Sequence, residues 1–383
     1  MKPLSIIIPC YNSEATLEEA FDSACAQRIS EPFEIVMVDD GSTDGTAALM
    51  RMLAARSPNA RCLFHDRNKG GGAARNTGIR NAESDIFFCL DSDDMLPPET
   101  LPRMLTMLKD TRCDGVGVGT SIKFVGRDVS KESYRNDFQC WDGPMPFESI
   151  FDIRKCSLYS TFMFTRRAFE TTGGYPEHHG FDTQGFAFRF LCNGLKAYTC
   201  REAAYLHRVK FHQSYYQREE AKGNISENWR KIFEEFLYLF DEKAQGLVLD
   251  ESIDAFSEKI FAASGPLAAG YASLIEPGAR KSYYQANKTK DGLKPYDAYW
   301  MGCYEMQENE YELASRHFLG SISSGLKAPR AYRKLMEAAC AERGIDAYDM
   351  LSKIAWPPKA KPPEPRPSRI RRIARKLRKV ARI

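Results

Sequence analysis

Short apolar runs and helix-period segments take turns along the first hundred residues. The runs fall at residues 4–8, 33–38, 61–64 and 86–90 and are too short for helices. Turn residues close them: Pro9 after the first, Asp39-Asp40-Gly41 after the second, Gly70-Gly71-Gly72 beyond the third, and Asp91-Ser92-Asp93-Asp94 with Pro97-Pro98 after the fourth. An apolar run bounded in this way reads as a strand covered on both faces. Between the runs the period changes. Ala15, Leu17, Ala20, Phe21 and Ala24 fall mostly on one helical face, with Ser13 in place to cap that helix, and the turn at 39–44 supplies cap residues for a second. Strands alternating with helices predict a doubly wound, mostly parallel sheet. Its ligand then sits in the crevice beyond the carboxyl ends of the strands.

The pattern changes near residue 226. Trp229, Ile232, Phe233, Phe236, Leu237 and Phe240 follow helical spacing, which predicts a core-facing helix rather than an aromatic binding stripe. Met301-Gly302, Ala314, Phe318 and Ser321 resemble the small-residue and aromatic positions of a tetratricopeptide repeat, and 331–354 supplies material for further helices. Residues 357–367 hold six prolines and read as an extended spacer. Beyond it, Ser368 can cap a helix with Ile370, Ile373, Ala374, Leu377, Val380, Ala381 and Ile383 on one face and eight Lys or Arg around the rest. The expected organisation is an α/β domain at 1–225, a helical domain with one or two repeat-like hairpins at 226–355, a Pro-rich linker at 356–367 and a basic amphipathic helix at 368–383.

Composition narrows the class. A chain of 383 residues, 43% hydrophobic and 27% charged, is the size of two or three soluble domains. No apolar run reaches the length of a membrane span, and the N-terminus enters a strand without a secretory pattern, so a cytoplasmic location is expected. The eleven cysteines show no metal-ligand spacing and read as reduced, buried thiols. The net charge of +3 is uneven: 357–383 carries eleven Lys or Arg and one Glu, leaving 1–356 at −7. An anionic membrane surface suits that tail, and nothing in the body is built for nucleic acid.

The loops after the strands hold the candidate chemistry. Three carboxylates within 91–94 repel one another unless a cation or a set of donors sits among them, and hard oxygen ligands suit Mg2+ or Mn2+. The alternative is an acidic turn before the next helix. Tyr11 offers a ring on which a base can stack, Asp39 an acceptor for a base N–H, and Asp91 an acceptor for ribose hydroxyls. The glycine triplet opens a helix N-terminus that favours anions, with Lys69 and Arg75 adding charge. Together these residues describe a nucleoside diphosphate site with a bridging metal.

At this point the motifs Ser5-Ile-Ile-Ile-Pro-Cys-Tyr-Asn12, Ile35-Val-Met-Val-Asp-Asp-Gly-Ser-Thr-Asp44, Gly72-Ala-Ala-Arg-Asn-Thr-Gly78 and Leu90-Asp-Ser-Asp-Asp94 resemble the successive motifs of glycosyltransferase family 2. The resemblance covers roughly residues 4–215. It implies a GT-A fold and inverting sugar transfer from a nucleotide-sugar, most often a uridine diphosphate (UDP) sugar. It also implies Tyr11 and Asp39 at the uracil, Asp91 at the ribose, and Asp93 on a Mn2+ or Mg2+ ion; Pro9, Lys69 and Arg75 are counted with them among the residues that bind the nucleotide-sugar. The family takes its base from an acidic pair opening a helix after a Gly-Gly-aromatic turn. Here the turn is Gly173-Gly174-Tyr175-Pro176 and the helix opens at Phe181-Asp182-Thr183. The sequence departs from the pattern: one alignment places Asp182 on the base, while another, anchored on Arg189, places Thr183 there. Asp182 is the choice, with an N-cap as its structural alternative. His207-Arg208 and His212 fall where the family often places a group near the diphosphate, His212 being preferred; His178-His179 reads as loop.

The expectation is therefore a metal-dependent inverting glycosyltransferase, peripheral on the inner face of the cell membrane, that extends a glycan or lipid-linked acceptor for a surface polysaccharide. The helical region offers a surface for a protein partner or self-association. A nucleotidyltransferase would open with a Gly-rich phosphate loop after the first strand, which Pro9-Cys10-Tyr11-Asn12 is not. The non-enzymatic alternative is a lapsed transferase domain serving as a membrane-surface adaptor.

Overall fold

The computed structural model describes residues 4–344, apart from 127, 153–154, 178–179, 210–214, 253–257, 261–264 and 291. Four of its strands are the four apolar runs: β1 (Leu4–Cys10), β2 (Phe33–Asp39), β3 (Ala60–Phe64) and β4 (Ile86–Cys89), parallel in the order β3-β2-β1-β4. The sheet continues through β5 (Gly115–Val125), β6 (Asp128–Asp137), β7 (Phe162–Thr165) and β8 (Ala197–Val209). Here the order is β4-β7-β5-β6, with β7 antiparallel to both its neighbours and β8 parallel to β5. The expected mostly parallel sheet thus carries an antiparallel strand at its centre. The chain leaves β1 for β2 on one side and pairs it with β4 on the other, so the order reverses at β1. That point is the ligand crevice of an open α/β sheet.

Alternation along β1 divides the core. Ile6 and Ile8 belong with Leu17, Phe21 and Ala24 of α1 (Leu17–Cys25), Met50 and Leu53 of α2 (Thr46–Ala55) and Met104 of α4 (Thr100–Thr111). Ile7 faces the other way, into a cluster with Ala74 and Ile79 of α3 (Gly71–Asn81), Phe169 of α5 (Arg166–Thr172) and Phe186 of α6 (Asp182–Cys192). Ser13 lies outside α1 and does not cap it; the residue before the helix is Thr16, without a side-chain cap bond. The Ser13 hydroxyl is drawn instead to that of Ser92, 2.7 Å away, because the loops after β1 and β4 meet at the sheet edge.

The helices that follow are α7 (Tyr215–Lys222), α8 (Ile225–Glu235), α9 (Glu242–Leu249), α10 (Ala279–Asn287), α11 (Pro295–Gln307), α12 (Tyr311–Ser323) and α13 (Pro329–Glu342), and the second core cluster runs on into those from α8 onward. The aromatic face expected from residue 229 onward is the seam: Trp229 packs edge-on to Phe181 and Phe233 edge-on to Phe188, at ring separations of 5.4 and 5.3 Å. In the hairpin of α11 and α12, Gly302 lies against the Phe318 ring, so close that a Cβ would stand 2.7 Å from it. Among the described residues no helix is long and apolar enough to cross a membrane. The linker and basic helix expected at 356–383 lie outside the described residues.

Candidate functional site

The loops at the carboxyl ends of β1, β2 and β4 are laced together by their own side chains. Asn12 takes a left-handed φ of 48° and accepts from the Thr43 amide at 2.9 Å, while its own amide donates to Ser42 Oγ at 2.9 Å. Tyr11 beside it is 48% exposed, leaving its ring open to a stacking partner. Pro9 occupies a part-buried position near the end of β1, beyond the last β1–β4 pair, Ile7–Cys89, so its missing N–H interrupts no pairing with β4. Asp39 is buried at the end of β2 and accepts from the Ser42 amide at 3.1 Å.

Sequence reasoning passed over its neighbour. Asp40 is buried and accepts from the amides of Lys69 and Gly70, both at 2.8 Å, and pairs with His65 Nδ1 at 2.7 Å; the other ring nitrogen of His65 lies 2.9 Å from Thr77 Oγ1. Asp40 therefore holds the glycine-rich turn against the end of β2. The only signal for it in the sequence was the doubled Asp. Lys69 projects outward and pairs with Asp66 at 3.0 Å, a surface contact easily exchanged for another anion.

The glycines of that turn admit protein as well as ligand. A Cβ on Gly72 would lie 2.1 Å from the Pro176 carbonyl oxygen, and one on Gly71 would lie 2.9 Å from both Arg75 Nη1 and Asp182 Oδ2. Pro176 and Asp182 are thereby pressed onto the first turn of α3. Asn76, one turn further on, secures the Gly173–Pro176 turn: Nδ2 donates to the Tyr175 carbonyl at 2.9 Å and to Glu177 at 2.6 Å, and Oδ1 accepts from the Tyr175 amide at 2.9 Å. Arg189 of α6 donates to the Gly174 carbonyl at 3.0 Å and forms a forked pair with Glu235 of α8, so the helical region supports the same turn.

The acidic turn after β4 divides its carboxylates. Asp91 is 44% exposed on the crevice side and takes Arg75 Nη2 on Oδ1 at 2.5 Å. Asp94 is buried beneath the turn, where it accepts from the Arg208 amide at 2.7 Å and faces His207 Nδ1 at 3.4 Å. Arg208 braces the turn with Nε on the Asp93 carbonyl at 2.7 Å and its guanidinium over the Phe124 ring, and it pairs with Glu19. Asp93 stands between these two, part-buried. Arg208 was noticed in the sequence only as a neighbour of the diphosphate, since a brace formed across 115 positions leaves no local pattern.

Asp182 opens α6 as its first residue rather than as its N-cap. Oδ1 accepts from the Thr183 amide at 2.9 Å and Oδ2 from Arg75 Nη1. Burial pushes its carboxyl above the usual carboxylate range; Arg75 opposes that rise and Asp91 adds to it. The Cys89 thiol under the site is pushed up to about 12 by burial and is inert as a nucleophile. Among the described residues no three His, Cys, Asp or Glu side chains stand together as a cage for a metal ion. Asp93, with Asp91 two residues away, fits the other common arrangement, in which Mg2+ takes one or two carboxylates and completes its shell with substrate phosphates and water. His212 and His178-His179 lie outside the described residues. The structure thus joins Asp91 and Asp182 through Arg75 and places Tyr11, Asp39 and Asp93 in the loops at the same carboxyl edge of the sheet, with Pro9 near the end of β1 and Lys69 in the glycine-rich turn.

Residues 5–176 match the sequence profile of Glycosyl transferase family 2. Among curated relatives, the undecaprenyl-phosphate 4-deoxy-4-formamido-L-arabinose transferase of Aeromonas hydrophila is 29% identical over 202 residues, which is 47% of this chain and 62% of that protein. The transferase of the same name from Yersinia enterocolitica is 33% identical over 206 residues, 48% of this chain and 63% of that protein. The poly(ribitol-phosphate) beta-glucosyltransferase of Bacillus spizizenii is 34% identical over 134 residues, 34% of this chain and 21% of that protein. The matches span less than two thirds of the length of these relatives. Among solved structures, S. aureus TarS 1-349 in complex with UDP superposes with a TM-score of 0.50 at 20% identity, covering 92% of this chain and 90% of that one, a likeness of fold.

Proposed function

Residues 5–176 form a glycosyl transferase family 2 domain, and from that premise we propose that the chain is an inverting glycosyltransferase drawing on a UDP-sugar, with Asp182 as its base. The observation that carries the reading is the placement of Asp182: a part-buried carboxylate on the far side of the glycine-rich turn, joined through one guanidinium to Asp91, the carboxylate read as the ribose ligand. Tyr11 and Asp39 bind the uracil, Asp91 the ribose hydroxyls, and Lys69 the diphosphate. Asp93 holds a divalent cation, which when bound offsets charge developing on the leaving diphosphate. Asp182 takes the proton of an acceptor hydroxyl as that oxygen attacks the anomeric carbon opposite the diphosphate; each of its oxygens already takes one donor and keeps capacity for another. Its upward shift places its proton affinity nearer neutral pH, which suits a base.

A structure of this fold solved with UDP supports the choice of nucleotide, and relatives named for undecaprenyl phosphate and poly(ribitol-phosphate) support an acceptor that is lipid-linked or part of a surface polymer. The proposal extends to a catalytic domain at 1–225 supported by a helical domain with tetratricopeptide-like hairpins, and to a basic end that seats the enzyme on an anionic membrane. Calorimetric titration of the full chain with UDP, with and without Mn2+, tests the donor site. Binding that tightens with Mn2+ and loses that gain in Asp93→Ala is the expected result. A folded wild type that binds no UDP overturns the reading and favours the adaptor.

A further inference from the structure

Arg75 is buried with its guanidinium over the Tyr175 ring, 5.6 Å from the centroid, and each terminal nitrogen is given to a different carboxylate: Nη2 to Asp91, Nη1 to Asp182. The backbone makes room for this arrangement, since a Cβ on Gly71 would collide with Arg75 Nη1 and Asp182 Oδ2 alike. The carboxylates come from separate elements, the turn after β4 and the first residue of α6, and the guanidinium from α3 is what they share.

Resting on the reading of Asp182 as the base, we propose that Arg75 is a positioning residue: it fixes the Asp182 carboxylate and ties it to the ribose carboxylate Asp91, rather than serving as a ligand of the diphosphate. A planar fork that meets two carboxylates at set angles suits this task, and an ammonium does not. A donor seated on Asp91 then finds the base already aimed and ionised. The charged and titratable groups around Asp182 are Arg75 from α3, Asp91 from the turn after β4, Cys89 of β4, and Tyr175 from the preceding turn; of these only Arg75 is cationic.

The test follows thermal unfolding and UDP affinity of the full chain from pH 5 to 8. In Arg75→Gln the part-buried Asp182 carboxylate loses its counter-charge and holds a proton to higher pH than in the unfolded chain, so stability is lost as pH rises. The gap in melting temperature between wild type and variant should widen from pH 5 to 8. The ratio of their UDP dissociation constants should rise about tenfold over the same range, equivalent to one unit of proton affinity, and ionisation of UDP itself cancels in the ratio. Adding Asp182→Asn should remove both trends. If Arg75→Gln does not fold, Arg75→Lys should show the same trends at reduced size, because its ammonium reaches one carboxylate only. A pH-independent loss of UDP affinity, or trends that persist with Asp182→Asn, would overturn the proposal. A wild type that does not bind UDP defeats the functional reading, while the unfolding comparison still decides whether the bridge exists.

Discussion

Asp91, Asp93 and Asp94 crowd within four positions of one turn, and Asp182 stands across the crevice, so their surroundings assign their tasks. Asp94 is sealed beneath the turn by the Arg208 amide and His207 and serves the loop, not the ligand. Asp91 opens to solvent and can meet ribose hydroxyls. Asp182 is largely enclosed, and enclosure raises its proton affinity while Arg75 keeps it partnered. Asp182→Asn keeps the shape and the acceptor for the Thr183 amide but cannot take a proton. We expect it to lower UDP release during sugar transfer by about 100-fold or more, with the UDP dissociation constant from calorimetry within about threefold of wild type. Transfer near the wild-type rate would take the base role from Asp182 and return Thr183 and its neighbours to consideration.

At the scale of elements, the Gly173–Pro176 turn is clamped between α3 and the helical region, and the clamp on the helical side rests on buried charge. Glu234 of α8 takes Arg330 of α13 in a two-point pair at 2.8 and 3.0 Å, and Arg330 turns its remaining nitrogen to Glu227 at 3.0 Å. Burial works against the Glu234 anion, but Arg330, Lys334 and Tyr299 bring its pKa from 4.5 down to about 2. A carboxyl depressed in the folded state contributes stability above its unfolded pKa and loses it as pH falls through the folded one, so the window here runs from about pH 4.5 down to about 2. Urea unfolding followed by circular dichroism should therefore show stability falling between pH 6 and pH 3. Arg330→Met strands Glu234 and should cost about 3–5 kcal/mol at pH 6, with a smaller further loss at pH 3 because the stranded carboxyl can take up a proton. Equal acid sensitivity in both proteins would place the pH dependence elsewhere.

The whole molecule joins a catalytic sheet to a helical region through one continuous apolar cluster, from Ile7 and Val36 in the sheet to Phe318 and Ala338 in the last helices. A donor site built on that sheet needs no membrane, whereas a lipid-linked acceptor does. The proposed membrane contact is at 368–383, where eight cations and an apolar face share fifteen residues after Ser368. Near an anionic leaflet each cation adds on the order of 1 kcal/mol. The full chain should pellet with vesicles rich in phosphatidylglycerol and stay in the supernatant with phosphatidylcholine, and removal of 357–383 should abolish pelleting. Truncated and full-length chains that pellet equally would remove the tail from the membrane contact.

Much of this was legible along the chain because it is local. The four apolar runs became β1 to β4, the glycine triplet opened α3, and the acidic turn came out at the carboxyl edge of the sheet; the aromatic spacing from Trp229 to Phe240 became a buried face, although its helix ends at Glu235 and a 3-10 turn at Leu237–Leu239 carries the remainder. Side-chain period, turn chemistry and motif spacing express themselves within a few residues, so the sequence by itself determined these elements and the edge to which their chemistry belongs. The insertion of antiparallel β7 between β4 and β5, the hold of Asp40 on the glycine-rich turn, the brace of Arg208 under Asp93, and above all the partners of Arg75 were decided only when the chain closed. Arg75 and Asp182 are 107 positions apart. Before folding brings them together, an arginine beside a glycine-rich turn looks like any other phosphate ligand, because which anion a guanidinium finds depends on what packs across from it.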